Sequence, residues 1–310
     1  MFLKVAVSSL VSRKGSAVMT LMAISVAIFV LLGIEQIRQQ ARESFASTVS
    51  GVDLIVGAKT GSLNLLLYSV FRIGSPTDNI SWQAYREIAD ADDVAWTIPI
   101  SLGDSHKGYR VVGTTEAFFK YFSFGKKRRL AFYKGEAFEG TFDAVLGSEV
   151  ATALGYSMGT EVILAHGLAS ASFTKHDNQP FVVVGVLAPT GTPVDHTIHV
   201  RLEGIEAIHA GGSKVPIGAF EPANRPVTNF SEPESITAFM LGLKSRMSTF
   251  NVQRQINGFA GEPLMAILPG VALSELWQTM SIFENVLRLI PALVLLAAVL
   301  GMGAVLLASI

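Results

Sequence analysis

The sequence predicts a membrane protein in which transmembrane helices with helical stalk extensions carry a large periplasmic α+β domain of two subdomains. Three observations predict it. Hydrophobic residues make up 50% of the chain and the mean hydropathy is +0.43, more apolar than an ordinary soluble domain. The apolar excess gathers at the two ends, whereas the middle has the composition of a soluble protein. Lys4, Arg13 and Lys14 precede the first apolar segment and no acidic residue does.

Each element follows in chain order. Residues 1–14 alternate Phe2, Leu3, Val5, Val7 and Leu10 with Lys4, Ser8, Ser9 and Ser12, which fits a cytoplasmic amphipathic helix lying on the leaflet. A ragged start to the next helix is the alternative. Residues 15–34 form transmembrane helix 1: the run from Ala17 to Ile34 is uncharged, and at about 1.5 Å per residue it just spans a hydrocarbon core of about 30 Å. The preceding basic residues place the N-terminus in the cytoplasm of a bacterial inner membrane. A cleaved signal peptide competes with this reading, but no small-x-small site follows the apolar run. Residues 289–310 form transmembrane helix 2. It has no charge and stops without a polar flank, so further spans are expected in the intact protein.

Both spans continue as amphipathic extensions. In 35–50, Ile37, Ala41 and Phe45 share one helical stripe. In 270–288, Leu273, Leu276, Trp277, Met280 and Phe283 form a stronger one, and Glu284 and Arg288 make an i,i+4 pair with the acid on the N-terminal side. The two stripes are expected to pack as a stalk; burial of each helix separately in the domain is the alternative. Pro291 is the candidate hinge, either kinking the helix or sitting in the first turn of a new one.

The intervening block is long enough to bury a real core. Residues 51–120 and 235–268 are assigned to one porter-like α+β subdomain and 121–234 to a second. Strands are predicted at 52–56, 94–101, 109–113, 144–147, 162–165, 181–187, 197–200 and 235–243. Helices are predicted at 81–89, with Ser81 as N-cap, at 148–155, capped by Ser148 and closed by Gly155, and at 246–258. The apolar stretch Leu63–Phe71 reads as a buried helix, with an exposed contact patch as the alternative. The Gly- and Pro-rich stretch 211–234 reads as a long loop.

The chain has no cysteine, which excludes disulfides and thiolate sites, and its net charge of −1 gives no basic field for nucleic acid. Gly57-Ala58-Lys59-Thr60 lacks the glycine spacing of a phosphate loop. His196 and His199 would fall on opposite faces of a strand and make a poor metal pair, while Asp195 and His199 would share one. The histidines are expected to be exposed or hydrogen-bonded. Lys126, Lys127, Arg128 and Arg129 form the one dense charge run. A solvated loop is the plain reading; docking to an acidic periplasmic partner or to lipid headgroups is the sharper one.

The order of segments resembles a known family. It shows Gly51-Val52-Asp53-Leu54-Ile55-Val56-Gly57 after the first extension, then Val145-Leu146-Gly147-Ser148-Glu149-Val150, then Phe181-Val182-Val183-Val184-Gly185-Val186-Leu187 before a Thr190-Gly191-Thr192-Pro193 turn. Together with the paired spans, these resemble the first half of FtsX/MacB-like ABC transporter permeases, and among them the MacB and lipoprotein-releasing members. The resemblance implies a transport subunit and not an enzyme, with no cofactor in this chain. ATP and Mg would be bound by a separate cytoplasmic ABC ATPase. A second permease copy, a periplasmic adaptor or lipoprotein, and the lipid bilayer are the other implied partners. Two layouts from other classes remain beside it: a two-span sensor, and a regulator of a periplasmic cell-wall hydrolase.

Overall fold

The computed structural model describes residues 14–166, 179–209 and 232–307. The expected amphipathic helix at the N-terminus, His176 and most of the expected loop at 211–234 lie outside these. The described chain divides into two compact units, one built from the terminal helices and the other from Ser44–Ser274.

In the terminal unit, helix α1 (Lys14–Ser47) is unbroken. Among the described residues it holds the one helical stretch long and apolar enough to cross a membrane, the 20 residues Leu21–Gln40, with mean hydropathy 1.9. The helix that closes the chain, Pro269–Leu307, is likewise continuous. Among the described residues its apolar part is Leu289–Gly301.

The Ser44–Ser274 unit is built on one large mixed sheet. After α1 come β1 (Leu54–Ala58), α2 (Ser62–Leu66) running into a π turn at Leu67–Phe71, β2 (Ile80–Ser81) and α3 (Trp82–Ala89). The long β3 (Val94–His106) and β4 (Tyr109–Thr114) follow, then α4 (Ala117–Tyr121), the two-residue strands β5 (Ser123–Phe124) and β6 (Arg128–Arg129), β7 (Phe132–Gly135), β8 (Asp143–Leu146) and α5 (Ser148–Leu154). The chain continues through β9 (Glu161–Val162), β10 (Ala165–His166), β11 (Phe181–Leu187), β12 (Thr197–Arg201) and α6 (Leu202–His209). It closes with β13 (Ser235–Ile236), β14 (Ala238–Leu243), α7 (Thr249–Asn257), β15 (Leu264–Ile267) and α8, the closing helix already given.

The sheet order is β15-β1-β14-β3-β4-β12-β8-β11-β7. Strand β3 joins its two halves: Ile98 and Ile100 pair with Met240 and Ala238 of β14, while Leu102 and His106 pair with Val112 and Tyr109 of β4. Strand β4 then runs parallel to β12. The sheet therefore passes from one half to the other within β3, and residues 109–114 pair with β3 on one side and with 197–201 on the other.

Alternation along the strands sorts the core into three clusters. Leu54, Val56, Phe239 and Leu241 face Ile88 of α3 and Val252 and Ile256 of α7. Ile55, Ile98 and Met240 face the opposite way, with the α2 segment and Phe118 and Phe119 of α4. Ala144, Leu146, Ile198 and Val200 pack with Val150 of α5 and Ile205 of α6. Leu65, Leu66, Tyr68, Val70 and Phe71 are buried in the second cluster, so Leu63–Phe71 is a core helix in its buried face.

Local differences from the sequence reading have clear causes. Ser81 does cap α3, accepting from the Ala84 amide at 3.1 Å, and Gly155 closes α5 in a left-handed conformation. The cap of α5 is Gly147, not Ser148. A Cβ at Gly147 would stand 2.2 Å from the Val194 carbonyl oxygen, so this position admits little but glycine. The expected strand 235–243 breaks at Thr237, whose amide bonds to the Ile100 carbonyl at 2.9 Å while its Oγ1 accepts from the Leu102 amide at 3.0 Å.

Candidate functional site

A cavity of about 640 Å³ lies wholly within the Ser44–Ser274 unit. Its walls come from Phe45 and Thr48 at the end of α1, Phe71 and Arg72 after the π turn, Tyr109 and Arg110 opening β4, and the turn at 191–197.

That last turn is shaped by Asp195. Its carboxylate accepts from the Thr190 amide at 2.9 Å, the Thr190 hydroxyl at 2.8 Å and the Gly191 amide at 2.7 Å. Thr192 caps the following 3₁₀ turn, Pro193–His196, through the Val194 amide. Asp195 and His196 thus sit in a turn and only His199 is on a strand, which corrects the expectation that Asp195 and His199 share a strand face.

Arg72 ends the π turn with φ +60°, a conformation rare outside glycine. Its guanidinium donates to the Ser69 carbonyl, and that of Arg110 donates to the Gly74 carbonyl. Burial, and then the charge of Arg110, pull the Arg72 pKa down to about 9. Burial also lowers that of Arg110.

The histidines divide. His106 is buried and hydrogen-bonded, Nδ1 donating to the Ile163 carbonyl at 2.6 Å and Nε2 accepting from the Tyr156 hydroxyl at 2.9 Å. His199 is fully buried; among the described residues neither ring nitrogen has a partner at full hydrogen-bond geometry, and the Val145 backbone supplies a weaker polar contact. Its neighbours are aromatic, and burial followed by the Arg72 charge holds its pKa down at about 3. His196 is exposed.

Lys126 and Lys127 form the turn of the hairpin between β5 and β6, and Arg128 and Arg129 make up β6; all four are exposed. The Arg128 guanidinium lies 4.7 Å from the centroid of the Phe124 ring, and Arg129 donates to the Lys120 carbonyl at 2.6 Å. The hairpin is tied to the chain after α1, because the Ser50 amide donates to the Ser123 carbonyl at 2.9 Å.

Of the stalk candidates, Phe45 packs on Phe71 with ring centroids 4.8 Å apart, and Leu273 packs against the same core cluster. Leu276 and Trp277 are half-buried, whereas Ile37 and Met280 are exposed. The side chains of Ala41 and Phe283 lie outside the described set. Pro291 is buried inside α8, which continues as one helix past it.

Sequence reasoning missed Arg72 and Arg110. Each is a lone arginine, distant from the other along the chain, and only the fold brings them to one wall.

A helix long and apolar enough to cross a membrane runs without interruption into a mixed α+β sheet domain, the layout of a membrane-anchored domain. The chain belongs to the MacB-like family of ABC transporter permeases: the family model for the MacB-like periplasmic core domain matches residues 17–257. Two solved structures are similar at low identity. The periplasmic region of MacB from Actinobacillus actinomycetemcomitans is 9% identical with a TM-score of 0.45, covering 76% of this chain and 94% of that one. The extracellular domain of the noncanonic ABC-type transporter YknZ from Gram-positive bacteria is 10% identical with a TM-score of 0.41, covering 70% and 98%. No curated protein matches the sequence.

Proposed function

We propose that this chain is the permease subunit that couples ATP hydrolysis by a partner cytoplasmic ABC ATPase to conformational change in the periplasmic domain, for export or extraction of a hydrophobic, peptide or lipoprotein-like substrate. One observation carries the reading. The two long helices are joined by short connections to adjacent strands of the same sheet. Helix α1 ends at Ser47 and β1 begins at Leu54, while β15 ends at Ile267 and α8 begins at Pro269. Strands β1 and β15 are paired, Ile55 opposite Ile267.

The connection after α1 is also fastened. Asp53 donates its amide to the Leu241 carbonyl at 3.0 Å and accepts from the Leu243 amide at 2.8 Å. A helix is stiff along its axis, so a displacement begun at the membrane side is delivered to β1 and β15 rather than absorbed in a flexible linker. Half-burial of Leu276 and Trp277 supports the stalk reading, and a second permease copy would complete the assembly. The N-terminus is assigned to the cytoplasm, where ATP and Mg are bound by the partner.

The test is to co-express the chain with the ATPase subunit and reconstitute both in nanodiscs. Spin labels at the exposed positions Ile37 and Met247 report the distance between helix and domain. A nucleotide-dependent change, absent with a hydrolysis-dead ATPase, is expected. A distance distribution indifferent to nucleotide, in a complex that still hydrolyses ATP, sinks the coupling.

A further inference from the structure

We propose that the cavity bounded by the π turn, the start of β4 and the 191–197 turn binds a phosphoryl group, held by the guanidinium groups of Arg72 and Arg110. Nothing in the transport reading requires such a site, and the two stand or fall separately.

Two cations line one cavity of about 640 Å³. Among the described residues, neither is paired with a carboxylate; each donates to one main-chain carbonyl, Ser69 for Arg72 and Gly74 for Arg110. A guanidinium has about five N–H donors, so most of the donor capacity of both remains for a ligand. The pair also repel one another: the charge of Arg110 works with burial to lower the pKa of Arg72. An anion between them removes that repulsion.

Two acids share the walls and neither cancels the arginines. Asp195 is buried and committed to the amides of Thr190 and Gly191 and the Thr190 hydroxyl. Glu149 is exposed, in the first turn of α5. It limits how much negative charge the cavity accepts, which favours a single phosphoryl group over a polyanion.

The backbone at Arg72 points the same way. A glycine would hold φ +60° without steric cost, yet the position carries a long cationic side chain directed to the cavity wall. Phosphoryl chemistry fits better than carboxylate chemistry. One guanidinium fork saturates a carboxylate, whereas a phosphoryl group offers about three terminal oxygens and up to two charges, matching two forks. Phe45 and Phe71 supply an apolar wall beside the charged one, suited to the organic remainder of a phosphate ester. The source is either a soluble phosphate ester or the headgroup of an anionic phospholipid.

The experiment uses the full chain in phosphatidylcholine nanodiscs. Inorganic phosphate and glycerol phosphate are titrated at constant ionic strength, with binding read by calorimetry and by the shift in melting temperature. Saturable binding is expected, weakened at least tenfold by Arg110→Gln and by Arg72→Gln, only partly by Arg110→Lys, and tightened by Glu149→Gln. A lipid arm replaces part of the phosphatidylcholine with phosphatidylglycerol. A rise in melting temperature that Arg110→Gln abolishes, without binding of the soluble phosphates, identifies a headgroup. If Arg72→Gln does not fold, Arg110→Gln decides alone, since Arg110 is half-exposed on a strand end. Binding that is insensitive to Arg110→Gln, absence of binding in both arms, or equal affinity for acetate overturns the proposal.

Discussion

The imidazole of His199 stacks on the ring of Phe118 at 4.7 Å between centroids, and both side chains are fully buried. With Phe119 on another side and only a weak contact from the Val145 backbone among the described residues, the ring stays neutral. Its pKa falls from 6.5 to about 3 on folding. Below pH 6.5 the unfolded chain binds a proton that the folded chain refuses until about pH 3, so stability falls as pH drops through this window. The slope for one such group is about 1.4 kcal/mol per pH unit. His106 contributes in the same direction, its pKa lowered chiefly by burial. Melting curves of the detergent-solubilised chain between pH 7 and pH 5 should therefore be steeper for the wild type than for His199→Leu, by about 2 kcal/mol at pH 5. Parallel curves would show that His199 titrates normally.

What was legible in the sequence was whatever local chemistry decides. Phe181–Leu187 and Thr197–Val200 read as strands because β-branched residues dominate them, and Ser81 reads as a cap because its hydroxyl needs only the amide three residues on. The family resemblance rested on such local runs and is shown by the match over 17–257. What was not legible depends on distant partners. The cap of α5 falls not at Ser148 but at Gly147, where the Val194 carbonyl leaves no room for a Cβ. Thr237 interrupts a plausible strand because β3 offers it two bonds. Arg72 and Arg110 look like ordinary surface arginines until β4 is set beside the π turn, and Asp195 looks like a strand residue until Thr190 and Gly191 turn back onto it.

Gly57 and Tyr68 are coupled through space. A Cβ at Gly57 would stand 2.8 Å from the Tyr68 hydroxyl and 2.7 Å from Leu65 Cδ1. Among the described residues the hydroxyl is buried without a partner, and burial raises its pKa to about 12. Gly57→Ala should cost about 1–3 kcal/mol by overpacking. Tyr68→Phe should be neutral or stabilising, because it removes an unsatisfied polar group. The double variant should recover part of the loss. Strict additivity of the two in denaturant melts would mean that Leu65, not the hydroxyl, sets the clash.

Ser81 joins two distant parts of the domain. Its hydroxyl accepts from the Ala84 amide at 3.1 Å and donates to Glu262 Oε1 at 3.3 Å, and its amide donates to the same carboxylate at 3.1 Å. Ser81→Ala should cost about 1 kcal/mol through the lost cap alone. Glu262→Gln should weaken the amide contact while leaving the cap intact. A thermal melt in which Ser81→Ala matches the wild type would show that solvent replaces the cap without cost.

The basic hairpin carries the sharpest claim about partners. Lys126, Lys127, Arg128 and Arg129 are exposed on a tight turn whose core contribution comes from the buried Phe124 and not from these four side chains, so reversing their charges is expected to leave the fold intact. The losses are Arg128 over Phe124, worth about 0.5–1 kcal/mol at an exposed site, and the Arg129 bond to the Lys120 carbonyl. If the hairpin docks an acidic periplasmic partner, replacing all four with glutamate turns attraction into repulsion, and association should fall steeply while circular dichroism and melting temperature hold. Raising salt should weaken wild-type association in the same direction, since exposed charges are screened beyond about 8 Å at physiological ionic strength. Co-purification from membrane extracts at low and high salt reads both effects. Unchanged recovery of partners by the reversed hairpin would leave these residues as a solvated turn and nothing more.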